Sequence, residues 1–398
     1  MITAVHYLID FLVAFAVTAI ATPFVRKFAK RFDIVDHPGP RRVNTVPIPR
    51  MGGIAMFLGL LVAAAFDAVL GVQGVWHSPL AAPGYINEQM VGVFIGLAVI
   101  VAVGVIDDVV TLKPLPKILG QIAAASIIAG SGVLIMRFHM PFSPEIVSFG
   151  VWAYPLTVLY LVCFVNIINL IDGLDGLAAG ITAIASISLF VLVLTLYRTD
   201  AAVLAIVLAG ACIGFLIYNF YPASIFMGDS GSMMLGLALG TVSLLGAARF
   251  SSVTIMLVPI VIALVPIIDT FGAIVRRLRG HVHVYDADAG HIHHRLLRAG
   301  FSQRKAVLFI YAWTAILSVG ALMIWELGSV TKYVVFIVLI VASAFVVKKL
   351  GLFGIVSRTF AKGDDPAGGD STEEGKAAAS GDTSAIAQEN ESPGNAEH

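Results

Sequence analysis

The stretch NIINLIDGLDGLAAG, Asn166 to Gly180, lies between two apolar runs, Trp152 to Val165 and Ile181 to Leu196. Within it Asn166, Asn169, Asp172 and Asp175 recur every third residue. Residues three apart on a helix are neighbours, so the spacing predicts a row of polar groups in mutual contact. The row then meets Gly173 and Gly176, which weaken a helix interior and permit a sharp turn or the close approach of a ligand. Two carboxamides and two carboxylates between apolar spans are costly unless they meet a ligand, a metal or water. A helix-ending loop with solvated aspartates accounts for the acids alone. It requires neither four polar groups in register nor Gly173, Gly176 and Gly180 beside them.

Outward from this stretch the chain is apolar throughout. Of 398 residues, 58% are hydrophobic and 13% charged, with a mean hydropathy of +0.92. Soluble domains carry about a quarter charged residues, so the composition predicts an all-α polytopic membrane protein. A spanning helix needs about 20 apolar residues. Eleven stretches qualify, roughly 3–25, 52–71, 89–106, 116–136, 151–171, 177–197, 201–220, 231–248, 253–275, 306–325 and 331–350. With the N-terminus outside, Lys and Arg segregate sharply. Seven in 26–50, two in 113–117, seven in 276–305 and five after 347 fall inside, against Arg137, Arg198, Arg249 and Lys332 outside. This bias predicts a cytoplasmic C-terminus. The first span is not a signal peptide, because its basic cluster (Arg26, Lys27, Lys30, Arg31) follows the apolar run. Cys163 and Cys212 both fall in spans and imply no disulfide framework. Residues 1–350 are therefore expected to form the transmembrane domain. Residues 361–398, with nine acidic and two basic side chains, are expected to form a disordered acidic tail.

In the first basic loop Pro38, Pro40, Pro47 and Pro49 forbid a continuous helix. Arg41, Arg42 and Arg50 suit either a phosphate or anionic lipid. Asp10 and Asp67, near the outer ends of their spans, read as interfacial residues without chemistry. The third span ends in GVIDDVVTLKPLPK, with Asp107 and Asp108 at a helix C-terminus, where the macrodipole disfavours carboxylates. A divalent cation, a lysine or a proton to be removed would explain the pair, and Lys113 and Lys117 follow within reach. A solvated acidic turn is the alternative. In YPASIFMGDSGSMMLG, Asp229 stands at the start of a span, where it suits either a cap or a site. Asp269 lies inside the ninth span, with Arg276 as a partner about two turns on. It reads as structural or supporting.

The loop after that span holds five of the ten histidines: His281, His283, His291, His293 and His294. No cysteine accompanies them, and zinc usually wants three or four protein ligands. HHR before LLRAG reads instead as a cationic patch opening a helix, suited to a diphosphate through the arginine fork.

The acidic sets and the basic loop all fall on one membrane face in the charge-derived topology. Carboxylates there suit Mg²⁺, a hard cation that shares substrate phosphates. DDVVTLK, NIINLIDGLDGLAAG, FMGDSGSMMLG and HIHHRLL, in this order within residues 1–350, resemble the polyprenyl-phosphate N-acetylhexosamine-1-phosphate transferases of glycosyltransferase family 4. The HIHHRLL form is similar to the branch that makes undecaprenyl-diphospho-GlcNAc for O-antigen of lipopolysaccharide, enterobacterial common antigen or teichoic acid linkage. It lacks the triple-His signature of the branch that transfers phospho-MurNAc-pentapeptide. The chain departs from the family at Asn44, where a histidine is common.

The resemblance implies that UDP-GlcNAc and undecaprenyl phosphate give undecaprenyl-diphospho-GlcNAc and UMP at the cytoplasmic face of a bacterial plasma membrane. This is the first membrane step of cell-envelope polysaccharide synthesis. It implies Mg²⁺, with Mn²⁺ as a substitute, on Asp229 and the Asn169 amide oxygen. Asp107 would assist the lipid phosphate with Asp108 beside it, and Asp172 and Asp175 would hold nucleotide or metal. His293, His294 and Arg295 would bind the sugar-nucleotide phosphates, Lys113 and Lys117 would guide the lipid phosphate, and Asn166 belongs with the substrate site. The expected partners are a UDP-sugar, undecaprenyl phosphate and the membrane. No nucleic acid is expected, and a homodimer is compatible. The competing classes are an ion-coupled secondary transporter, whose site would lie near the bilayer midplane, and a non-catalytic scaffold, which has no use for the carboxylates. The same chemistry on phospho-MurNAc-pentapeptide is the alternative donor.

Overall fold

The computed structural model describes residues 4–38, 46–139, 146–247, 253–279, 291–326 and 329–351. Arg41, Arg42, Asn44, Arg249, His281, His283 and the tail at 361–398 lie outside the described residues. Each of the eleven apolar stretches carries helix. In chain order the helices are α1 (Ala4–Arg31), α2 (Gly52–Val72), α3 (Glu88–Val110), α4 (Pro114–Gly130), α5 (Ala153–Ile171), α6 (Leu177–Thr195), α7 (Thr199–Asn219), α8 (Gly228–Ala247), α9 (Val253–Ile262), α10 (Leu264–Arg279), α11 (Ile292–Arg298), α12 (Gln303–Glu326) and α13 (Ser329–Lys349). Among the described residues, eight helices are long and apolar enough to cross a membrane, and α4 is a shorter apolar helix. The chain is thus an all-α, multi-pass membrane protein. Among the described residues, strands are limited to three antiparallel pairs, Val35–Asp36 with Ile48–Pro49, Ala81–Ala82 with Tyr85–Ile86, and Arg137–His139 with Ile146–Ser148.

The ninth apolar stretch differs from expectation. It is two helices, α9 and α10, divided at Ala263. Pro259 lies inside α9, and Pro266 stands in the first turn of α10. Pro266 has no N–H to give to the Ile262 carbonyl, and its ring crowds that carbonyl. The continuous helix therefore stops there, and α10 ends on Arg276, Arg277 and Arg279.

The axis of the bundle is α8. Every residue from Ser230 to Gly246 is buried, and α8 packs against α2, α3, α5, α6 and α7. Its first turn is wedged between two glycines. A Cβ on Gly53 of α2 would overlap the backbone of Gly231, and one on Gly104 of α3 would overlap the backbone of Ser230. Both positions demand glycine because backbone meets backbone there. The chain before α2 is laced to the same place. Phe226 N donates to Pro49 O at 2.8 Å, Gly52 N to Phe226 O at 3.0 Å and Gly53 N to Met227 O at 2.9 Å. The start of α8 is thereby fixed against the start of α2 and the end of α3. Large apolar side chains such as Ile20, Phe24, Ile316 and Val341 face outward, as they do in proteins solvated by lipid.

Candidate active site

The site is built on the N-terminus of α8, and the cap of that helix comes from another helix. Asp108, on the last turns of α3, accepts from Asp229 N at 2.8 Å with Oδ1. Its Oδ2 accepts from Ser230 N at 3.2 Å and from Ser230 Oγ at 2.8 Å. A carboxylate is favoured at a helix N-terminus as strongly as it is disfavoured at a C-terminus. Asp108 thus escapes the dipole of α3 by serving that of α8. Gly228, with φ +70°, admits this approach, since a Cβ there would run into the Asp108 carboxylate.

Because Asp108 provides the cap, the Asp229 side chain is released for other contacts. Lys117 Nζ of α4 lies 2.9 Å from Asp229 Oδ2 and 2.9 Å from Asp107 Oδ2. The other Asp107 oxygen accepts from Leu112 N at 2.6 Å. Asn169 Nδ2 of α5 donates to Asp229 Oδ1 and, at 2.8 Å, to Ser232 Oγ. Four helices thus deliver Asp107, Lys117, Asn169 and Asp229 to one point.

The polar row of α5 does not continue as helix. The helix ends at Ile171, with Asp172 in the C-cap position at φ −73°, ψ 59°. Gly176, at φ +79°, precedes α6. This loop is held by groups that spacing alone did not single out. Asn219 Oδ1 accepts from Gly176 N at 3.1 Å, and Tyr311 Oη donates to Gly176 O at 2.5 Å. Asp175 Oδ2 accepts from Ala223 N at 2.8 Å. Asp172 is pushed up to about 8, first by desolvation and then by the charges of Asp229, Asp108 and Asp175. It therefore lies within electrostatic reach of the cluster. Asp175 is also raised, chiefly by desolvation.

The histidine segment reaches the same loop. The Asp269 carboxylate accepts from Ile292 N at 2.8 Å and lies 3.0 Å from His291 Nδ1. Asp269 therefore anchors the start of α11, with the His291 ring facing it. The His293 ring stacks on His291 at 5.6 Å and meets His294 at 4.3 Å. It also lies against Gly173, where a Cβ would stand 2.5 Å from His293 Cε1 and Nε2. His293 is buried, and its ring is held down to about 3, first by desolvation and then by His294, which favours the uncharged form.

Other expected residues have these surroundings. Lys113 is exposed at the start of α4. Asn166 Nδ2 donates to Gln121 Oε1 at 2.7 Å and to Val162 O at 2.8 Å, one turn away from the cluster. Arg295 Nη1 donates to Leu350 O at 3.3 Å, beyond α13. Arg50 pairs with Asp36. Ser230, Ser232 and Gln121 were missed. A lone amide four residues after Lys117 in an apolar helix, and hydroxyls on either side of Gly231, were the available signals.

Among the described residues no three His, Cys, Asp or Glu side chains converge as a metal cage. Mg²⁺ needs less, because it is commonly held by one or two carboxylates together with substrate phosphates. The donors here are hard oxygens, and the Lys117 ammonium shows that a positive charge fits between Asp107 and Asp229. The residues present suit such an ion.

Residues 90–247 match the family described as glycosyl transferase family 4. This interval contains α3 from its third residue on, α4 through α8, and every cluster residue except those of α10 and α11. The chain is 36% identical over 358 residues to a probable undecaprenyl-phosphate N-acetylglucosaminyl 1-phosphate transferase of Bacillus subtilis, covering 90% of this chain and 96% of that one. It is 38% identical over 332 residues to a decaprenyl-phosphate N-acetylglucosaminephosphotransferase of Mycolicibacterium smegmatis, covering 78% and 80%. Against a phospho-N-acetylmuramoyl-pentapeptide-transferase of Moorella thermoacetica the identity is 32% over 330 residues, covering 78% and 95%. With near-complete coverage at this identity, and with the matched interval enclosing the carboxylate cluster, the chain belongs to glycosyl transferase family 4.

Proposed function

We propose that the chain transfers N-acetylglucosamine 1-phosphate from UDP-GlcNAc to undecaprenyl phosphate, giving undecaprenyl-diphospho-GlcNAc and UMP. The observation that carries this reading is the meeting of Asp107, Lys117, Asn169 and Asp229 at the N-terminus of α8. The printed names of the relatives supply the donor and acceptor classes. A lipid monophosphate and a sugar diphosphate bring several negative charges together, so the site must neutralise them. Lys117 offers its ammonium to the lipid phosphate. Asp107 orients that lysine and is near enough to receive a proton from the acceptor. His293, neutral and braced on Gly173, presents a ring N–H to a phosphoryl oxygen. Asp172 and Asp175 hold the donor side of the site.

Mg²⁺ on Asp229 and Asn169, or Mn²⁺ in its place, would supply the charge that the leaving diphosphate needs. The basic-residue bias supports an outside N-terminus, a cytoplasmic C-terminus and a site on the cytoplasmic face of a bacterial plasma membrane. The site also lies at one end of its helices, whereas a transporter site is expected near their middle.

The test is UMP release from UDP-GlcNAc by the purified protein with undecaprenyl phosphate and Mg²⁺. Asp107→Ala and Asp229→Ala abolish release while membrane insertion stays normal. Full activity in EDTA, or in both variants, overturns the reading. UDP-MurNAc-pentapeptide in the same assay separates the two donor classes, for which HIHHRLL favours UDP-GlcNAc.

A further inference from the structure

The opposite end of the bundle carries a second acidic site. Asp10 and Asp67 were expected at the interface, but they are buried, with 0% and 2% of their surface exposed. Their helices pack antiparallel, and one crossing fixes the register. A Cβ on Gly59 of α2 would overlap the Thr18 hydroxyl of α1 and lie 2.8 Å from Ala14 O. About two turns beyond this crossing, on the same two faces, α1 brings Asp10 and α2 brings Asp67. The crossing thus sets the two buried carboxylates at the same level of the helix pair. Gly53, at the other end of α2, touches α8, so Asp67 stands about 21 Å from the transfer cluster along the helix.

Independent of the two acids' proximity, two side chains at this place lack partners. Both oxygens of Asp10 are sealed from solvent without a hydrogen bond, and so is the hydroxyl of Tyr7, one turn away on α1 and only 6% exposed. The Tyr7 hydroxyl is hydrogen-bonded to neither carboxylate. Asp67 is held in place by Ser78 Oγ, which donates to its Oδ2. Trp76 closes the site, donating from Nε1 to Asp67 O at 3.3 Å and lying against His6 at 4.5 Å.

Burying two carboxylates at one level is costly unless a positive charge joins them. The donors assigned to the site are oxygens, two carboxylates and a phenol, while the nearby His6 ring lies against Trp76. That set selects a hard cation, and two carboxylates balance a divalent one. We propose that Asp10, Asp67 and Tyr7 form a divalent-cation site of the Ca²⁺ type, separate from the transfer centre, that ties the outer ends of α1 and α2 together. It stands whether or not the transferase reading does. With so few protein ligands, its affinity belongs in the range of about 10⁻⁴–10⁻³ M found for weak calcium modules.

The test uses Ca²⁺ as the probe on the full-length protein in detergent, stripped with EDTA. Asp229→Asn removes the cluster's own contribution. In that background, equilibrium dialysis finds one bound Ca²⁺, millimolar Ca²⁺ raises the thermal midpoint by a few degrees, and the Trp76 environment changes the fluorescence. Adding Asp10→Asn or Asp67→Asn, both isosteric, abolishes all three responses. Tyr7→Phe, which removes one oxygen and keeps the ring edge-on to Phe190 at 5.1 Å, weakens Ca²⁺ binding several-fold. Absence of Ca²⁺ binding in Asp229→Asn overturns the proposal, with the pair then sharing a proton or holding water. Binding that survives both Asp10→Asn and Asp67→Asn overturns it equally.

Discussion

The Lys117 ammonium touches Asp229 at 2.9 Å from a helix distant in the chain, and it touches Asp107 at the same distance. One cation thus joins two acids that arrive on α3 and α8. Any metal held by Asp229 must share that carboxylate with Lys117 or displace it. Lys117→Met is therefore expected to separate two quantities. Transfer activity falls by about 10²–10³-fold, as for loss of one preorganised charged group. Mg²⁺, followed by calorimetry in the absence of substrates, binds more tightly, because no ammonium competes. Weaker Mg²⁺ binding in Lys117→Met would show instead that the lysine holds the carboxylates in place for the ion. Lys117→Arg does not restore activity, since a planar fork cannot sit between the carboxylates as a point charge does.

Asp108 accepts three hydrogen bonds from the first turn of α8. Its removal should therefore be read first in stability. Asp108→Ala leaves buried N–H groups without acceptors, at a cost of about 1.5–3 kcal/mol for bonds to a charged group. Gly228→Ala strains a backbone at φ +70° by about 1–2 kcal/mol and crowds the same carboxylate. Both variants lower the thermal midpoint in detergent, and both lose activity by moving Asp229. If Asp108→Ala lost activity at an unchanged midpoint, Asp108 would belong to the chemistry rather than to the cap.

Much of this arrangement was legible in the chain, because membrane helices announce themselves by length and apolarity and because ionisable groups between them are rare. The eleven apolar stretches and the Asp107–Asp108 pair follow from that economy, whereas the association of Asn169 with Asp229 came only through the family resemblance. Local pattern could not reveal partners across helices. Asp108 looked misplaced at the end of α3 because the dipole it serves belongs to α8. The contact of Asp269 with His291 was concealed because the two are separated by a loop, while a sequence exposes only neighbours along one helix. The division at Ala263 was signalled by Pro259 and Pro266, but the hydropathy of 253–275 reads straight through both. Asp10 and Asp67 looked interfacial because position along a span says nothing of which face a side chain takes.

Asp269 grips both the His291 ring and the Ile292 N–H, so it sets the position of the segment that carries His293. Asp269→Asn keeps the shape and can still accept from Ile292 N, but it weakens the charge-assisted contact with His291. KM for the sugar nucleotide should rise about 10-fold, the effect of roughly 1.4 kcal/mol, with kcat changed much less. His291→Gln should give the same pattern, and the double variant should be no worse than either single one, because the two act through one contact. Additive losses in the double variant would argue against a shared role.

The pH dependence of α11 should bear the mark of His293, whose ring is held down to about 3 by desolvation and by its histidine neighbours. An ordinary histidine takes its proton at about 6.5. Between these two values the unfolded segment binds a proton that the folded one refuses. Stability therefore rises with pH where the unfolded state holds more protons, and it is lost as pH falls from about 6.5 toward 3. Hydrogen exchange of the α11 amides should accelerate progressively below pH 6.5 after correction for intrinsic rates. In His293→Gln the acceleration should be shallower, by the equivalent of one proton. In the proposed reaction a His293 held down in this way would meet a phosphate as a hydrogen-bond donor and not as a cation. The activity profile of the wild type should then show no inflection near 6.5 that His293→Gln removes. If such an inflection appears and vanishes in the variant, the ring is charged in the working enzyme, and its burial against Gly173 must open when substrate binds.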